Sequence, residues 1–134
     1  MIVADASLLA YLVMPGERTE EAEAVLAKDP AWVVPVLWHS ELRSVVHKYV
    51  ARGDITIARA EALLGQAEDV VAGREGTIES QDVLELASRS KCSTYDCEYV
   101  ALANALGVPL VTTDRALLRA FPERAMSPAA FLGG

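Results

Sequence analysis

Four acids, Asp5, Glu41, Asp96 and Asp114, each stand at the border of an apolar segment, where a carboxylate is costly to desolvate. Clustered carboxylates repel one another unless cations hold them together. An oxygen-only donor set suits Mg²⁺ or Mn²⁺. A cation bound there would make a coordinated water more acidic. The spacings do not by themselves bring the four acids together, and each has a structural reading. Asp5 and Asp114 read as helix caps, Asp96 as an acid at the positive end of a helix, and Glu41 as a solvated first-turn acid.

Other chemistries fit less well. His39 and His47 are eight residues apart with no His-Glu-x-x-His pattern, and they read as ordinary helix residues. There is no Gly-x-Ser-x-Gly elbow, no Walker loop and no Gly-x-Gly-x-x-Gly fingerprint. Ser7 occupies the second acid position of an Asp-x-Asp phosphatase start. Cys92 and Cys97 match no zinc or redox spacing and read as packing residues.

The elements around the acids follow from hydrophobic periodicity. Residues 1 to 4 form a short apolar run ending at Asp5, and Leu8 to Met14 reads as helix stopped by Pro15. Thr19 to Lys28 is an amphipathic helix ended by Asp29-Pro30, and Trp32 to Pro35 is a short strand. Leu42, Val45, Val46, Tyr49 and Val50 recur at helical spacing up to Gly53, which places Glu41 at the edge of the apolar stripe. Ile57 to Val71 is a further helix, Thr77 to Glu79 a candidate strand, and Val83, Leu84 and Ala87 mark another helix. Ser93 or Thr94 caps a helix from Asp96 to Leu106 that ends at Gly107, and its nearly all-apolar body implies burial on most sides. Leu110 to Thr113 is a buried-type strand leading into Asp114, and Ala116 to Phe121 is a last short helix. Short apolar strands alternating with helices predict an α/β domain with a mainly parallel sheet. In such a sheet the carboxyl ends of the strands line the ligand crevice, so Asp5 and Asp114, just past strands, and Asp96, in the first turn of a buried helix, hold crevice positions.

At 134 residues, with 52% hydrophobic and 23% charged residues and no linker or repeat, the chain reads as one domain spanning residues 1–134. Its start lacks a basic segment and meets an acid at position 5, and no run of about 18 apolar residues occurs, so a cytoplasmic, non-membrane protein is expected. A net charge of −7 argues against holding nucleic acid by phosphate neutralisation alone. Each divalent cation in an acidic site would offset two of those charges, and a basic partner would be attracted to the rest.

Val3-Ala4-Asp5-Ala6-Ser7, the Glu41 helix, Thr94-Tyr95-Asp96-Cys97-Glu98-Tyr99-Val100-Ala101-Leu102-Ala103 and Val111-Thr112-Thr113-Asp114-Arg115 together resemble PIN domains, specifically the VapC toxins of toxin-antitoxin pairs. The likeness spans nearly the whole chain in the right order. It implies a three-layer α/β/α fold with a mainly parallel central sheet. It also implies Mg²⁺ or Mn²⁺ held by acids matching Asp5, Glu41, Asp96 and Asp114, endonuclease activity on RNA by metal-activated water, a homodimer, and a small VapB-type antitoxin as partner. Within that set, Asp5 and Asp96 are the expected direct ligands, with Glu41 and Asp114 acting through water or at a second ion. Some relatives carry a further acid just after the last motif, where this chain has Arg115, Ala116 and Leu117, so one cation is supported and a second is left open.

Ser7 and Thr113 are the expected orienting hydroxyls, each with the alternative of a local cap or turn residue. Arg115, Arg119 and Arg43 are the candidate phosphate contacts, each with the alternative of a solvated helix face. Two rival readings share the same site: a catalytically weak module of the same fold that acts through a protein partner, and a metal-dependent nuclease or phosphatase acting on DNA or small phosphate esters.

Overall fold

The computed structural model describes residues 1–133 and builds them around five short parallel strands. These are β1 (Ile2–Ala4), β2 (Trp32–Pro35), β3 (Glu75–Gly76), β4 (Leu110–Val111) and β5 (Ala125–Met126), in the spatial order β3-β2-β1-β4-β5. The register pairs Ile2 with Trp32 and Val3 with Val33 on one side of β1, and Val3 with Leu110 and Ala4 with Val111 on the other.

Alternation along the strands divides the interior into two layers, because successive side chains leave opposite faces of a sheet. Ile2, Ala4, Trp32, Val34 and Val111 pack under α1 (Ala6–Val13), α2 (Thr19–Lys28), α3 (Trp38–Ala51) and α4 (Ile57–Val71). Val3, Val33, Leu110 and Ala125 pack against α5 (Ser80–Ser88), α6 (Thr94–Leu106) and α7 (Arg115–Ala120). The result is the expected three-layer α/β/α arrangement with a wholly parallel sheet. Full burial of side chains as large as Trp32, Trp38, Tyr99 and Phe121 stabilises each layer, at roughly 1.5–3 kcal/mol per large apolar group.

The chain moves outward from β1 to β2 and β3, then α5 and α6 carry it back to β4 on the opposite side of β1. Strand order therefore reverses between β1 and β4. Helices diverge from such a reversal, which opens a crevice at the carboxyl ends of those two strands. Asp5 directly follows β1, and Asp114 lies just past β4.

Three departures from the expected elements have physical causes. The third strand is Glu75–Gly76, and Thr77–Glu79 is irregular. There Gly76 pairs with Pro35, and the Leu102 side chain of α6 lies so close that a β-carbon on Gly76 would sit 2.3 Å from it. Ile78 packs partly into the α6 layer without joining the sheet. The strand expected over Leu110–Thr113 ends its pairing at Val111, beyond which the Thr112 hydroxyl turns to Asp5 and that of Thr113 to Tyr11. Beyond Pro122, β5 and α8 (Pro128–Phe131) add a fifth strand and a capped turn of helix, with Ser127 accepting from the Ala130 amide and Pro128 at the helix start. No helix among the described residues is long and apolar enough to cross a membrane.

Candidate active site

Asp5 sits at the N-cap position of α1, yet its side chain makes no capping bond. Two hydroxyls hold it instead. Thr112 donates to Oδ2 at 2.6 Å and Ser7 donates to the same oxygen at 3.2 Å. Thr112 is the one fully buried polar residue among those described, and its hydroxyl also accepts from the Asp114 amide at 3.0 Å. A single side chain thus ties the acid after β1 to the backbone carrying the acid after β4. Burial raises the Asp5 pKa, the Thr112, Ser7 and Ala6 hydrogen bonds pull it back, and the Asp114 charge pushes it up again.

Glu41 owes its position to the apolar stripe of α3. Trp38, Leu42 and Val46 are buried, and the Trp38 indole donates to Glu75 Oε1 at 3.0 Å, fixing the start of the helix against β3. Glu41, one residue off that stripe, is partly buried, and Tyr99 of α6 donates its phenolic proton to Oε1 at 2.5 Å. Desolvation raises the Glu41 pKa, and the charges of Asp5, Asp96 and Glu98 raise it further against the opposing Tyr99 bond. Burial also pushes the Tyr99 phenol far up, with Glu41 itself the next cause, so Tyr99 is a permanent donor.

Asp96 occupies the first turn of α6, where Ser93 caps the helix by accepting from the Asp96 amide at 3.1 Å. That cap takes up backbone, and among the described residues the Asp96 carboxylate has no hydrogen-bond partner of its own. Burial and then the Asp114 and Asp5 charges raise its pKa. Asp114 does cap its helix, since Oδ1 accepts from the Leu117 amide at 3.0 Å. Its structural reading is therefore correct for one oxygen and leaves the other uncommitted.

The four acids are all partly buried, and the charges acting most strongly on Asp5, Glu41 and Asp96 are other carboxylates: Asp114 on Asp5, Asp5 and Asp96 on Glu41, and Asp114 and Asp5 on Asp96. None of the four belongs to an ion pair among the described residues. Hard oxygen donors carrying uncompensated charge match a divalent cation in chemistry. In this arrangement, however, no group of three or more His, Cys, Asp or Glu among the described residues is placed to enclose an ion. Mg²⁺ is commonly held by one or two carboxylates, the rest of its shell being water and substrate phosphate, and the residues fit that mode rather than a closed protein cage.

The remaining candidates divide. Ser7 reaches Asp5 as described, whereas Thr113 does not orient a carboxylate. Its hydroxyl lies 3.5 Å from that of Tyr11, because adjacent residues leave β4 in opposite directions and Thr112 takes the inward one. Arg43, Arg115 and Arg119 are exposed and pair with no acid among the described residues. Sequence reasoning passes over Thr112 and Tyr99, treating both as packing. The available signal is that a buried hydroxyl or phenol must find a partner, and Tyr99 stands one helical turn after Asp96. Cys92 and Cys97 are free and buried, in keeping with packing. His39 stacks on Trp38 and bonds Glu68 at 3.1 Å, away from the four acids.

A cleft of about 460 Å³ opens beside Glu41 and Asp96, lined also by Leu37, Ser40, Ser44, Ser93 and Tyr95. A second recess of about 430 Å³, between α1, α3 and α4, holds Tyr11, Tyr49, Arg18 and Arg59 and none of the four acids.

Comparison with known proteins agrees with this architecture. The pattern of the PIN domain family matches residues 2–121. The chain is 30% identical over 124 residues to Ribonuclease VapC3 of Pyrobaculum aerophilum, covering 90% of this chain and 95% of that protein. It is also 30% identical over 123 residues to Ribonuclease VapC3 of Mycobacterium tuberculosis, covering 91% of this chain and 88% of that one. The crystal structure of PAE2754 from Pyrobaculum aerophilum shares the fold with a TM-score of 0.78 at 23% identity, over 99% of this chain and 96% of that one. With the family pattern running from β1 through α7, and relatives matched along nearly their full lengths, the chain belongs to the PIN-domain family, in its VapC-type branch.

Proposed function

We propose that this chain is a divalent-metal-dependent endoribonuclease, the toxin of a VapBC-type pair, working as a homodimer held in check by a small VapB-type antitoxin. The observation that carries the catalytic part is the repulsion that neighbouring carboxylates, Asp114 among them, exert on Asp5, Glu41 and Asp96, with none of the four acids paired to a protein cation among the described residues. The relatives named Ribonuclease VapC3 support RNA as the substrate class, and membership of the VapC-type branch supports the antitoxin partner.

When bound, Mg²⁺ or Mn²⁺ would supply neutralisation of phosphate charge and acidification of the attacking water. Asp5 and Asp96 are the residues we assign to hold it directly. Thr112 and Ser7 converge on Oδ2 of Asp5, so Oδ1 is the less engaged oxygen and faces fewer competing donors. Tyr99 fixes Oε1 of Glu41, leaving Oε2 to accept a proton from water. The α7 amide holds Oδ1 of Asp114, leaving Oδ2 for the same purpose. Three carboxylates are thus each restrained through one oxygen, which limits their rotation and lowers the entropic cost of ordering them around substrate. Arg115 and Arg119, exposed just after Asp114, are assigned to flanking phosphates, and Arg43 to the α3 side.

The test is RNA cleavage by the purified chain across a Mg²⁺ and Mn²⁺ titration, with and without chelator, beside Asp96→Asn. Cleavage should require the cation and collapse in the variant. Activity surviving both chelation and substitution would overturn the assignment. Cation-dependent cleavage of DNA with RNA left intact would replace the substrate and keep the site.

A further inference from the structure

The cleft beside Glu41 and Asp96 contains more than the reaction at phosphorus requires. Its floor and walls include Leu37 at the start of α3, Tyr95 beside Asp96, and the hydroxyls of Ser40, Ser44 and Ser93. Tyr95 is 64% exposed, and it is the one aromatic among the large apolar side chains left exposed in the described residues. A single exposed aromatic is ordinary on a protein surface. This one is adjacent in sequence to an acid of the site and lines a cleft that two of the four acids also line.

Ser40 and Ser44 are four residues apart on α3, so their hydroxyls lie one above the other on one helix face beside Glu41. Both are exposed and among the described residues neither bonds another side chain, so each has donor and acceptor capacity to spare. An aromatic platform, an aliphatic side chain and hydroxyls of dual character match a nucleobase, which offers a π-face for stacking and a polar edge for hydrogen bonds. His47 and Lys48 continue the same helix face by one further turn and are exposed, which extends the surface toward the next phosphate.

We propose that this cleft is a nucleobase subsite, in which Tyr95 stacks on the base of the nucleotide next to the scissile phosphate and Ser40 and Ser44 contact its edge. The proposal rests on the ribonuclease reading and adds the group that fixes where a single-stranded RNA lies relative to the acids. Tyr95 is a positioning residue here, acting on substrate placement and not on the reacting atoms.

The test uses single-stranded oligoribonucleotides carrying 2-aminopurine at successive positions, whose fluorescence falls when the base stacks. Binding is measured with Mg²⁺ present in an Asp5→Asn background, so that RNA is held without being cut. One position should show strong quenching, and Tyr95→Ala should abolish it and weaken binding roughly 10- to 100-fold, as expected for loss of one stacked base. Tyr95→Phe and Tyr95→Trp should retain both. In the active chain, Tyr95→Ala should raise KM with kcat within a few-fold, and its thermal midpoint should match wild type because the side chain is exposed. If the wild-type chain cuts RNA while Tyr95→Ala binds and quenches like its parent, the subsite is overturned and the nuclease reading stands. If the wild-type chain cuts no RNA, both fall.

Discussion

The acids of the crevice form two pairs held in different ways. Asp5 and Glu41 are gripped by side chains from distant elements, Thr112 past β4 and Tyr99 in α6. Asp96 and Asp114 sit at helix starts, where the order comes from local caps: Ser93 for α6, and Asp114 itself for α7. The first pair therefore depends on the tertiary fold being complete, and the second on turns that each segment can form by itself. Substitutions in the inner pair should uncouple catalysis from folding most sharply, and substitutions in the outer pair should separate charge from capping.

Asp5→Asn should have the largest effect. Loss of the charge closest to the β1–β4 junction should reduce cation-dependent cleavage by about 1000-fold or more, whereas the amide can still accept from Thr112 and Ser7. Chelated Asp5→Asn should melt above the chelated wild-type chain, by roughly 2–6 °C for a domain of this size. The sign follows from the raised pKa values of Asp5, Glu41 and Asp96, each caused first by burial. A carboxyl group whose folded pKa is raised binds its proton more tightly when folded. Its stabilising contribution is present below the ordinary carboxylate range and is lost as pH climbs through the raised folded values. Without metal, wild-type stability should thus fall across that window, and Mg²⁺ or Mn²⁺ should restore it by mass action. Melting curves against pH, with and without cation, check this. A chelated wild-type chain that gains stability across the same window would show that the inner pair is not electrostatically strained.

Tyr99→Phe probes the grip without touching a charge. The ring stays in its buried slot, but Glu41 loses the one side-chain donor it has among the described residues. Loss of such a supporting bond to a ligand commonly costs 10- to 100-fold in metal affinity or activity, so a drop of about that size is expected. A cation titration followed by cleavage rate separates the two. If rate and affinity both stay within twofold of wild type, Glu41 is positioned by α3 alone and the contrast between the pairs fails on the inner side.

The two pairs also differ in how far they can be read before folding. The outer pair announces itself: Ser93 before an apolar run, Gly107 after it at φ +66°, and an acid after a short apolar strand are local signals with local causes. The helix boundaries at Thr19–Lys28 and Ile57–Val71 were legible for the same reason, each marked by stops and an amphipathic period. The inner pair's partners lie 107 and 58 residues away, and no periodicity links them. In the sequence Thr112 reads as one more strand residue and Thr113, beside Asp114, as the orienting hydroxyl, because which of two neighbouring threonines faces the acid depends on a two-residue register in the sheet. Strands as short as β3 and β5 carry too few residues to show alternation, so their places in the sheet come from what packs over them, as Leu102 does over Gly76.

The smallest effects are expected at Asp114, and they distinguish two roles that coincide in one side chain. Asn is as good an N-cap as Asp, so Asp114→Asn should keep the bond to the Leu117 amide and leave the melting temperature within a degree or two. Its cost should fall on cleavage alone, at about tenfold, because one of four cooperating charges is gone while the assigned direct ligands Asp5 and Asp96 remain. Asp114→Ala removes cap and charge together and should add a loss of about 1 kcal/mol in stability, the usual cost of an N-cap. Comparing the two by melting and by rate gives the charge from Asn and the cap from the difference. Equal rates in Asn and wild type would confine Asp114 to capping and leave an active set of three acids.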